Sequence, residues 1–131
     1  MTISRGVVLA FGLLFLVSGC PRRPPDADAL AASMKAKMKL PYDVDGETRL
    51  DDVRGTSKTE LGYFLTLTKV TKATLDPNLG KSLENMLRGG ACQDPNYRVI
   101  MKAGLSVAIV YRTQDQADVA RIVIAPKDCG L

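Results

Sequence analysis

An α+β domain of two layers, with about four antiparallel strands in two hairpins packed against three helices, is what the sequence predicts. Three observations predict it. Two pairs of segments alternate apolar and polar residues across short polar turns, the pattern of hairpin strands. Three other segments repeat apolar residues at helical spacing and open on aspartate or aspartate-proline. Their order, helix, strand, strand, helix, helix, strand, strand, leaves amphipathic helices that need one face of a sheet to cover. No internal repeat is visible.

The first helix runs from Asp26 to Lys39. Acidic residues stand at its front, alanines fill it and Lys35, Lys37 and Lys39 close it, which suits both helix propensity and the helix dipole. Leu30, Met34 and Met38 recur one turn apart with Ala27 and Ala31 beside them, and Pro41 ends the run. Next, Thr48, Leu50 and Asp52 alternate with Arg49, Asp51 and Val53, which predicts a short, charged, edge-like strand. Glu47, Arg49 and Asp51 then share a face, as a charge ladder or a strip for a partner, and Asp51 and Asp52 point to opposite faces. After a turn around Gly55 to Lys58, Leu61, Tyr63, Leu65 and Leu67 fall on one face of a strong strand.

Two short helices follow. Asp76-Pro77 opens one, whose apolar face of Leu79, Leu83, Met86 and Leu87 stops at Gly89-Gly90. Asp94-Pro95 opens the other, which continues through Tyr97, Val99, Ile100 and Met101 and stops near Gly104. Leu105, Val107, Ile109 and Tyr111 then alternate with Ser106, Ala108, Val110 and Arg112, and after a polar turn Val119 to Ala125 form the last strand.

The 131 residues are 46% hydrophobic and 24% charged, with 18 Lys+Arg against 14 Asp+Glu and a formal net charge of +4. This composition fits one globular domain and excludes collagen-like, coiled-coil and wholly disordered chains. Without histidine, Ser-His-Asp and Cys-His arrangements are excluded, and no lysine or carboxylate site stands out, so the chain reads as non-enzymatic and free of cofactors. Asp43, Asp45 and Glu47 alternate as in a calcium loop, yet the third aspartate before glycine and the closing glutamate are missing, which leaves turn carboxylates and no metal site. Basic residues are interleaved with acidic ones and stacking aromatics are few, so nucleic acid is not a partner.

The amino terminus is a separate unit. Arg5 precedes an almost unbroken apolar run over residues 6–17, too short to span a membrane and built like an export signal. The run ends in Leu16-Val17-Ser18-Gly19-Cys20, which resembles the lipobox of bacterial lipoproteins. The resemblance implies removal of residues 1–19, lipidation of Cys20 and anchoring in the lipid bilayer through several acyl chains. Residues 20–26, with Pro21-Arg22-Arg23-Pro24-Pro25, form an extended tether, and residues 27–131 form the single domain. In enterobacterial lipoproteins an aspartate after the lipidated cysteine retains the protein in the inner membrane, so by resemblance Pro21 favours the periplasmic face of the outer membrane. With Cys20 committed to lipid, Cys92 and Cys129 remain, an even count in an oxidising compartment, and a disulfide between them is expected.

Leu40-Pro-Tyr-Asp-Val-Asp-Gly-Glu-Thr-Arg-Leu-Asp51, Tyr63-x-Leu65, Cys92, Gly104, Val107, Tyr111 and Asp128-Cys129 together resemble a family of small exported bacterial proteins. That arrangement is also similar to one class of pilotins, lipoproteins that carry secretin subunits of type II secretion to the outer membrane. The resemblance implies a secretin subunit or another envelope protein as partner. Leu30, Met34, Met38, Leu83 and Met86 are the candidate groove for an amphipathic segment of such a client, although a methionine stripe at helical spacing also serves as plain core. Two other classes stay open: an envelope inhibitor or superinfection-exclusion lipoprotein acting through a protruding loop, and a structural lipoprotein with a closed surface.

Overall fold

The structure, a computed structural model, describes residues 26–131. Its first element is helix α1 (Ala27–Lys37), where the Asp26 carboxylate accepts a hydrogen bond from the Asp28 N–H at 2.9 Å and so satisfies a donor that the first turn leaves free. The helix stops at Lys37, short of the expected Lys39, because Met38 has extended backbone.

The sheet comprises β1 (Tyr42–Asp43), β2 (Thr48–Ser57), β3 (Glu60–Leu67), β4 (Ser106–Thr113) and β5 (Asp118–Ile124), adjacent in that order. The hairpins β2–β3 and β4–β5 are antiparallel. The expectation of about four antiparallel strands needs two corrections. A fifth strand, β1, is only two residues long, too short to leave an alternation in the sequence. More importantly, the sheet is mixed, because β3 and β4 run parallel, from Glu60 beside Ser106 to Leu67 beside Thr113. Alternation and tight turns reveal hairpins, but how two hairpins join is decided by the chain between them. Here that chain carries α2 (Leu79–Gly90) and α3 (Pro95–Lys102), the helical crossover that parallel neighbours require.

The helices cover one face. Leu50, Val53, Leu61, Ile109, Ile122 and Ile124 are buried beneath them, and α1 lies over β2 while α2 lies over β5. β4 lies between β3 and β5, and Ala108 and Val110 on its other side are buried as well. The pairing shifts between Leu50 and Asp52, so that Asp51 is an extra residue in β2. Leu50 and Val53 both reach the core, and Asp51 and Asp52 between them line one small recess on the far side of the sheet. The bulge therefore overturns their expected placement on opposite faces.

Two glycines are required by this packing. Gly104, with φ of 94°, ends the α3 connection in the left-handed region. At Gly55, a β-carbon would sit 2.9 Å from the backbone nitrogen of Asp28, so the absence of a side chain lets α1 lie close on β2. Gly55→Ala is expected to destabilise the fold by about 1–2 kcal/mol and lower Tm by several degrees in a circular-dichroism melt. An unchanged Tm would show that α1 shifts without cost.

Cys92 and Cys129 form a disulfide with Cα atoms 5.2 Å apart. It ties the α2–α3 junction to the closing 3₁₀ turn, Pro126–Cys129.

Candidate functional site

The three helices leave the covered face of the sheet partly open. Between them lies a groove of about 1100 Å³. Leu50, Tyr63, Leu65, Ile109 and Tyr111 form its floor, α1 supplies Leu30 and Met34 with Met38 just past its end, α2 supplies Leu79, Leu83 and Met86, and α3 supplies Tyr97, Val99 and Ile100. The five groove candidates named from sequence thus lie around one cavity. Leu30, Met34, Met38 and Leu83 also pack against the core, so the stripe serves both purposes. Met86 does not, being 62% exposed.

Exposed apolar groups gather at the same place. Tyr42, Val44, Met86 and Val99 are 42%, 51%, 62% and 69% exposed, and all four line the groove. A contiguous open apolar surface on a folded domain marks an interaction site, whereas single exposed residues do not.

Sequence reasoning missed the tyrosines. The chain has four, and Tyr42, Tyr63, Tyr97 and Tyr111 all line the groove. They come from separate elements, where Tyr63, Tyr97 and Tyr111 each read as an ordinary core position, so only the tertiary fold brings the four together. The available signal was chemical: a tyrosine on an otherwise aliphatic face offers an apolar body with a polar tip. Tyr63 and Tyr97 meet edge to face, their centroids 5.5 Å apart at 85°. Burial, reinforced by Tyr111, Asp94 and Tyr42, pushes the Tyr97 phenol up to about 12, and burial raises Tyr63 and Tyr111 as well.

These shifts set an alkaline limit. An unfolded tyrosine ionises near pH 10, whereas the folded groove keeps the phenols protonated. Stability is therefore unaffected by these groups below about pH 10 and falls as pH rises towards about 12. Denaturant titrations across that window are expected to show the fall, and a flat profile would contradict the burial of these rings.

Charged residues occupy the groove margin. Asp45, Glu47, Asp94 and Lys69 line it. The Asp45 carboxylate accepts from the Glu47 N–H at 2.8 Å and holds the turn between β1 and β2. Glu47 consequently faces the groove instead of extending the ladder expected with Arg49 and Asp51. Those two do pair, at 2.6 Å.

The opposite sheet face is charged and internally matched. Asp51 binds Arg49 and accepts from the Thr66 hydroxyl, while Asp52 binds Lys35 at 3.2 Å and Arg54 at 3.3 Å. The Arg54 guanidinium also stacks 3.7 Å from the centre of the Phe64 ring. Burial alone would raise the Asp52 carboxyl, but Lys35, the Val53 N–H and Arg54 outweigh it and hold it below the ordinary value. Although the bulge brings Asp51 and Asp52 to one face, each thus has its own donors, and they form no proton-sharing dyad. Among the described residues, no cluster of three or more His, Cys, Asp or Glu is placed to hold a metal, and no helix is long and apolar enough to cross a membrane. Residues 1–25, with Cys20, lie outside the described residues.

No protein-family model and no curated protein matches the sequence. Solved structures do match its fold. The pilotin EpsS of the Vibrio vulnificus type 2 secretion system superposes with a TM-score of 0.61 at 20% identity, over 79% of this chain and 87% of that one. The pilotin AspS of the type II system of Vibrio cholerae gives 0.56 at 14% identity, over 79% and 88%. A Pseudomonas aeruginosa protein described as secreted gives 0.63 at 12% identity, over 79% and 92%. The described residues therefore have a pilotin-like fold, an α+β domain with a mixed five-stranded sheet, three helices and one disulfide.

Proposed function

We propose that this chain is a non-enzymatic, pilotin-like accessory protein of the bacterial envelope, anchored through acyl chains on Cys20 to the periplasmic face of the outer membrane. Its client is a secretin subunit, and an amphipathic segment of that subunit lies in the groove. The observation that carries the reading is the open apolar groove, with Met86 and Val99 exposed at its margin. The groove offers side chains, not a free strand edge, so it suits an apolar stripe repeated at helical spacing better than strand addition. A structural lipoprotein would show a closed surface there. The pilotin-like fold supports the same reading.

The mature domain from Pro21 onwards, used as bait in solubilised envelope, is expected to recover a secretin, with recovery lost on Met34→Asp. Recovery of a cell-wall hydrolase or a phage protein instead would replace this reading with the inhibitor one. The anchor has its own check: Cys20→Ser is expected to abolish fatty-acid labelling and release the protein from membranes, and persistent labelling would refute the lipidation site.

A further inference from the structure

Of the 14 side-chain carboxylates, five are held in ion pairs, and three of the remaining nine line the groove. On the open sheet face and on α2, Asp51, Asp52, Glu60, Glu84 and Asp118 each have an arginine or lysine within ion-pair distance. The carboxylates that line the groove, Asp45, Glu47 and Asp94, make no such pair among the described residues. Lys69 is the one cation in the groove lining among the described residues. The groove therefore carries an acidic margin on a chain whose overall balance is +4. That inversion of sign is local.

Two of the three acidic groups are fixed in place. One oxygen of Asp45 accepts from the Glu47 N–H, and one oxygen of Asp94 accepts from the Asn96 N–H, each at 2.8 Å. The tyrosines stand beside them: the charge of Asp94 acts on Tyr63 and Tyr97, and that of Asp45 on Tyr111. Carboxylates and tyrosine rings lining one groove suit an ammonium or guanidinium on two counts, charge pairing and cation–π attraction.

Resting on the reading of the groove as a docking site, we infer that its occupant is an amphipathic peptide segment with lysine or arginine flanking its apolar stripe, seated against Asp45, Glu47 and Asp94. The apolar stripe supplies most of the affinity, and the flanking cations fix its register and reject anionic competitors. An acyl chain or an anionic lipid fills the apolar part and leaves these carboxylates unmatched.

The test uses the full-length protein in zwitterionic phosphatidylcholine nanodiscs and two helical peptides with one apolar stripe, flanked by lysine in one and by glutamate in the other. The lysine peptide is expected to bind about tenfold more tightly at low salt, with an advantage that shrinks as salt is added. In the Asp45→Asn/Glu47→Gln/Asp94→Asn variant, where the amides introduced at positions 45 and 94 each keep an oxygen to accept from the backbone N–H of residues 47 and 96, the two affinities are expected to converge. Equal binding of both peptides to the unmodified protein, or an advantage that survives in the variant, would overturn the inference and leave the groove reading standing. Binding of neither peptide would overturn both.

Discussion

Replacing Cys92 and Cys129 with alanine is expected to remove about 3–4 kcal/mol of stability. The bridge closes 37 residues, a long loop by the standard of chain entropy. It also supports a place where little else holds the chain. Residues 125–131 follow β5 around the 3₁₀ turn, and there Cys129 packs against the core beside Met101, its sulfur 3.8 Å from the thioether. For a domain of this size the loss corresponds to a fall in Tm of about 15–25 °C. Melting the protein before and after reduction, with the double variant as reference, measures it. A change of only a few degrees would show that packing alone fixes the junction of α2 and α3.

The second large effect separates binding from folding. Met86 is 62% exposed and contributes little to the core, so Met86→Asp is expected to alter stability by no more than about 0.5 kcal/mol. The same change puts a charge on the apolar margin of the groove, where an amphipathic segment would have to desolvate it. Binding of a secretin-derived amphipathic peptide is expected to weaken by about thirtyfold or more, the scale of a hot-spot residue. Calorimetric titration of the folded variant reads the loss directly. Unaltered affinity in a folded variant would remove α2 from the docking surface.

These expectations draw on features that differ in how far the sequence discloses them. Local chemistry was legible: Asp94-Pro95 caps α3, Gly89-Gly90 ends α2, and the two hairpins follow from alternation and polar turns. Asp76-Pro77 misled slightly. Its carboxylate caps a turn by accepting from the Asn78 N–H, and the helix itself begins at Leu79. Features set by pairing between distant segments were not legible. Nothing local marks β3 and β4 as parallel neighbours, and the bulge at Asp51 is invisible to a period-two reading that assumes every residue is paired. The groove divides in the same way. Its helical walls could be named because Met34 and Met38, or Leu83 and Met86, recur at helical spacing within one segment. The tyrosines and the turn from Val44 to Thr48 join the site only when the sheet brings strands β1, β2, β3 and β4 together beneath the helices.

The central claim, that the groove between α1 and α2 receives an amphipathic segment of a secretin, is tested most directly by photocrosslinking in intact cells. A photoreactive residue is placed at Met86, on the groove margin, and in a parallel strain at Phe64, on the opposite face of the sheet. The expected result is an adduct with a secretin subunit from position 86, mapped by mass spectrometry to an amphipathic segment, and none from position 64. A secretin adduct from position 64 alone, or none from either position, would contradict the claim.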